Sequence, residues 1–100
     1  MKNVKITVMK IARYDDLIER YERPLLHACD MKQGQVFISE NGARPEGFCE
    51  SAWGVMELFV RKLAEGGGYF YDDWMKDPFS AMISCNDGFR PVSFLLEVEN

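Results

Sequence analysis

Three thiols, one imidazole and one guanidinium are the side chains of this chain best suited to chemistry. The thiols stand at Cys29, Cys49 and Cys85, and His27, the sole histidine, lies two residues before Cys29. Soft thiolates with an imidazole suit zinc or Cu(I). A zinc site would take Cys29, Cys49, Cys85 and His27 as four ligands, with Zn–S distances of ~2.3 Å. Only His27-x-Cys29 has the close spacing that structural zinc sites favour. Cys49 falls where a long helix is expected to begin, and unpaired amides there favour a thiolate. Arg90, between Gly88 and Pro91, has the fork to clamp an anionic ligand or to bond Asp87 and nearby carbonyls. Trp53, Tyr69, Phe70, Tyr71 and Trp74 offer aromatic walls for a pocket. From this set we expect a ligand site at Cys49, Cys85, Arg90 and Trp74. The competing reading is that the thiols pack as small hydrophobes in separate apolar places.

Other chemistries find less support. No G-x-S-x-G nucleophile elbow is present. The glycine run Gly66-Gly67-Gly68 follows a helix and lacks G-K-[ST], so it reads as a helix stop and not a phosphate loop. Asp72-Asp73 reads as solvated acids in a loop. The cysteines form no C-x-x-C, and their odd number cannot all pair within one chain. No complete catalytic set is visible, so an enzyme is the least supported class.

The elements that must position these residues follow from periodicity. Residues 3–12 alternate as a strand, with Val4, Ile6 and Val8 on one face. Residues 14–21 read as a short helix with Asp15 or Asp16 as its cap. Residues 25–33 carry no clear pattern. A strand over 34–39 precedes the turn signal Asn41-Gly42. The clearest element is a helix from about Cys49 to Glu65, in which Cys49, Ala52, Trp53, Met56, Phe59, Val60 and Leu63 form one apolar stripe. An aromatic-rich loop over 69–78 should bury its rings against the core or a neighbouring chain. Strands over 81–85 and 92–98 should pair as a hairpin across Asn86-Asp87-Gly88, with positive φ expected at Gly88.

The predicted fold is α+β: a two-layer domain with a largely antiparallel sheet of about four strands and two helices, in the order β-α-β-α-β-β. One hundred residues suffice for a single domain spanning 1–100. Twelve basic against sixteen acidic residues give a net charge of -4, the wrong balance for a general nucleic-acid binder. The acidic excess lies wholly in the second half, where 4 basic residues face 8 acidic ones. No apolar run approaches membrane-spanning length, and the charges of residues 1–10 are too closely spaced for a signal peptide. These features predict a cytoplasmic protein with reduced thiols and no membrane partner.

Several segments together resemble a known family. They are Val4-Lys5-Ile6-Thr7-Val8; Pro45-Glu46-Gly47-Phe48-Cys49 leading to Ala52-Trp53; Trp74-Met75-Lys76-Asp77-Pro78; and Cys85-Asn86-Asp87-Gly88-Phe89-Arg90-Pro91-Val92. The chain is similar through these G-F-C and C-x-D-G-x-R-P-V motifs to a family of small prokaryotic proteins of about its own length. That family has no assigned activity, so the resemblance implies no mechanism. Where the family usually has cysteine followed by proline before the second strand, this chain has Cys29-Asp30.

Two function classes emerge. The first is a small binding module whose cysteine-lined site holds a metal or small molecule. The second is a non-catalytic structural or interaction protein that homo-oligomerises through its aromatic loop, with the thiols as packing residues.

Overall fold

Alternating and helical patterning resolve into six elements in the computed structural model, which describes residues 1–24 and 30–99. They are β1 (Asn3–Ile11), α1 (Asp15–Tyr21), β2 (Val36–Ser39), α2 (Glu50–Ala64), β3 (Ser80–Ser84) and β4 (Val92–Glu99). The strands form one antiparallel sheet in the order β2-β1-β4-β3. The fold is α+β, in the order the sequence predicts.

β1 and β4 are the central strands because each alternates over its length. Val4, Ile6 and Val8 on β1 are wholly buried and stand beside Val98, Leu96 and Phe94 of β4. The register slips between Val8 and Lys10, leaving Met9 as the extra residue of a bulge. α2 covers this inner face and touches β1, β3 and β4. Its stripe Ala52, Trp53, Met56, Val60 and Leu63 is buried, as expected. Phe59 is a correction: it is only partly buried. Its ring meets Phe70 at 5.0 Å and Tyr71 at 6.3 Å, so it seats the following loop.

α2 stops where the glycine run predicts. The Gly67 amide donates to Lys62 O at 2.8 Å and the Gly66 amide to Leu63 O at 3.0 Å. With Gly66 at φ +91°, this is a Schellman cap, which satisfies carbonyls the helix end leaves free. α1 differs from expectation at its start. Tyr14 occupies the cap position without a side-chain bond, and Asp15 and Asp16 lie in the first turn. There they complement the positive end of the helix instead of capping it. No α1 residue is buried, so among the described residues α2 is the helix that makes the second layer.

The β3–β4 hairpin forms as predicted, with Ile83 opposite Phe94 and Ala81 opposite Leu96. Its turn works differently from the expectation. Gly88 does not adopt a positive φ. Instead Asp87 Oδ1 accepts the amides of Phe89 at 2.8 Å and Arg90 at 3.2 Å. A side-chain acceptor does the work assigned to glycine.

Candidate functional site

The site begins with Phe48, a loop residue that is almost completely buried. Its ring packs against Phe37 at 5.0 Å, Phe94 at 5.5 Å and Trp53 at 6.3 Å. Arg44 Nη1 donates to Phe48 O at 2.6 Å. These contacts fix the chain just before α2 and so fix Cys49, the N-cap residue. No side chain caps this helix start, although the Trp53 amide donates to Cys49 O at 2.9 Å to begin the helical ladder.

Cys85 follows β3 directly. Its amide donates to Val92 O at 3.0 Å, and the Val92 amide donates to Cys85 Sγ at 3.2 Å. The sulfur is thereby oriented by backbone. Ser51 Oγ lies 3.4 Å from Asn86 Oδ1, a long contact joining the first turn of α2 to the hairpin turn.

Between these segments lies a cleft of about 150 Å³ lined by Cys49, Cys85, Ser51, Arg90, Asp87 and the apolar Phe94, among others. A cavity of that size admits a molecule like benzene, and a dinucleotide would not fit. Both cysteines are partly buried free thiols. The structure therefore brings together Cys49, Cys85 and Arg90, drawn from three places in the sequence.

Arg90 is committed to a partner the sequence does not signal. Its Nη1 donates to Glu22 Oε1 at 2.7 Å and Oε2 at 3.0 Å, with the two side chains 15% and 13% exposed. Its buried Nε has no hydrogen-bond partner among the described residues. Arg90 thus acts first as a strut from α1's C-terminal side to the hairpin. Only the part of its guanidinium not engaged by Glu22 remains for a ligand. Asp87, expected as a side-chain partner, bonds the Arg90 amide instead.

Trp74 is not part of the cleft. It is 43% exposed and packs edge-on to Tyr71 at 5.3 Å, beside the far half of α2. Of the loop aromatics only Phe70 is buried; Tyr69 and Tyr71 stand in solvent. The expected burial of that loop within the chain is corrected to a single anchoring ring.

His27 and Cys29 lie outside the described residues. Among the described residues no group of three or more metal-ligating side chains comes together. Among the same residues no helix is long and apolar enough to cross a membrane. Sequence reasoning missed Ser51 and Phe48 as site-builders; the one signal for Phe48 was its place beside Cys49. Compared with known proteins, the chain matches no family, no curated protein and no solved structure.

Proposed function

We propose that this chain is a small binding module whose cleft holds a soft metal ion or a small molecule between Cys49 and Cys85. The observation that supports it is that two thiols 36 positions apart line one cleft beside a largely buried arginine. Two thiolates suit a thiophilic ion such as Cu(I), which accepts few ligands. Zinc asks for four, and reaches that number here only with His27 and Cys29. The cleft's volume and the apolar wall of Val92 and Phe94 suit a molecular group about the size of benzene. The reading takes both thiols as reduced, as in a cytoplasmic setting.

Titration with Cu(I) and, separately, Zn(II), each delivered from a competing chelator, tests the reading, alongside elemental analysis of the purified chain. We expect one tightly held ion per chain, lost in both Cys49→Ser and Cys85→Ser. A small-molecule ligand would instead slow alkylation of both thiols together. Ion binding that survives both substitutions, or two thiols that react independently in every condition, removes the shared site.

A further inference from the structure

α2 covers one face of the sheet; among the described residues no helix packs on the other, where Ser80, its hydroxyl donating to Asp77 O, is the one buried residue. The central row of that other face crosses all four strands as Val36, Thr7, Leu95 and Met82, each directly opposite the next. One side of that row is Ile38, Lys5, Glu97 and Ser80, and the other is Lys10, Ser93 and Ser84. Val36 is 49% exposed, Met82 38% and Met9 37%. Met9, Lys10, Met82 and Ser93 ring a shallow concavity of about 350 Å³ on this face. The face has an apolar middle and polar edges, the anatomy of an interface.

The geometry points to a second copy of this chain as the occupant, stacked face to face through the open side of the sheet. Aligned sheets pack about 10 Å apart at about 30°. Consider a two-fold axis parallel to the strands, midway between β1 and β4 and between the stacked faces. It sets every residue against the cross-strand neighbour of its own position. Lys5 then faces Glu97 of the second copy, and Glu97 faces Lys5. Thr7 faces Leu95, and Val36 faces Met82. Met9 drops toward the concavity above Ser93. Neither Lys5 nor Glu97 has an ion partner within the chain among the described residues, so both are free to pair across the axis. The face is self-complementary in charge and in size, as a closed dimer requires. The aromatic loop, another exposed apolar surface, is less suited: Asp72, Asp73 and Asp77 against the single Lys76 give it an acidic excess, so two copies brought together there repel.

The test is sedimentation analysis from micromolar to several hundred micromolar chain. We expect a dimer that Met82→Lys converts to a folded monomer. Lys5→Glu and Glu97→Lys should each be monomeric, since each sets like charges across the axis. Mixing these two variants should restore a dimer, because both facing pairs are then complementary. That rescue cannot come from within a chain, where each variant keeps like charges on neighbouring strands. Thermal melts of each variant separate dissociation from unfolding. A wild-type chain monomeric throughout overturns the proposal. So does a dimer that mixing fails to restore, or one lost on Tyr71→Ser and kept in Met82→Lys.

Discussion

The two ends of α2 are built by opposite means. At its start, side-chain hydrogen bonds hold the chain: Arg44 bonds Phe48 O, Asp87 gathers two amides, and the Arg90 side chain clasps that of Glu22. Past its end, the backbone holds side chains. Tyr69, Tyr71 and Asp72 all sit at positive φ, 56°, 50° and 68°, a region that costs non-glycine residues roughly 1 kcal/mol or more each. The loop recovers part of this through ring contacts, Tyr71 on Phe59 and Trp74, and Tyr69 on Phe79 at 5.5 Å. The thiols stand at the end where geometry is fixed by directional bonds. A site that must present two sulfurs to one ligand needs that fixity. The aromatic end has directional bonds only at its base, where the Phe79 amide donates to Asp77 Oδ1 and the Tyr69 amide to Pro78 O; the rings beyond are ordered by packing over a strained chain.

The largest effect should come from breaking the pinned end. Phe48→Ala removes a ring surrounded by Phe37, Trp53 and Phe94. Truncation of such a ring costs ~3–5 kcal/mol. Urea denaturation should show that loss, and ligand binding at the thiols should fall with it in the fraction still folded. A loss below about 1 kcal/mol would mean the cleft end is not anchored through Phe48.

Next comes the strut. Glu22→Gln leaves the guanidinium of Arg90 shielded from water with a neutral acceptor. A charge-assisted bond between groups this shielded contributes ~2 kcal/mol, and the denaturation midpoint should drop accordingly. Glu57→Gln, whose carboxylate pairs with Arg61 at 3.0 Å on the exposed side of α2, should change stability by less than ~0.5 kcal/mol. Equal effects of the two would erase the contrast between a strut and a solvated pair.

The sequence carried the fold because period and burial agree. The stripe of α2 and the alternation of β1 and β4 leave one arrangement that buries Val4, Ile6, Phe94, Leu96 and Met56 together. The hairpin was legible from Asn86-Asp87-Gly88. The site was legible in part. Cys49 and Cys85 could be placed at element ends, and ends of adjacent elements meet at one end of a sheet. Glu22 could not be found, since an ion pair across 68 positions leaves no spacing signal. Phe48 hid in a loop with no periodicity to mark it. Only residue type links Trp74 to the thiols, and residue type carries no direction.

A smaller and opposite effect should appear in the strained loop. Asp72 stands at positive φ, is exposed, and is in neither an ion pair nor a side-chain hydrogen bond among the described residues. Asp72→Gly removes a steric cost at little loss of contact. We expect a gain of about 0.5 kcal/mol, the relief being offset in part by the freedom glycine adds to the unfolded chain. Destabilisation by 1 kcal/mol or more would show that the loop is not under backbone strain at that position.

The smallest effect belongs to the pinned end, at the residue whose type suggests the largest. Gly88 follows Asp87 in a turn, the usual place for a glycine at positive φ. Here φ is not positive, and a Cβ built on Gly88 meets nothing within 4 Å. The turn is set by Asp87 Oδ1 and the two amides it gathers. Alanine therefore fits, and it narrows the unfolded ensemble slightly. Gly88→Ala should leave stability unchanged or raise it by up to ~0.5 kcal/mol, while Asp87→Ala should cost ~1 kcal/mol through two lost acceptor bonds. The pair of substitutions sharpens the comparison at its finest point: glycine is dispensable where a side chain directs the turn, and would be welcome at Asp72, where none does. A loss of 1 kcal/mol or more in Gly88→Ala would place the control of this turn back in the backbone and make the two ends of α2 alike.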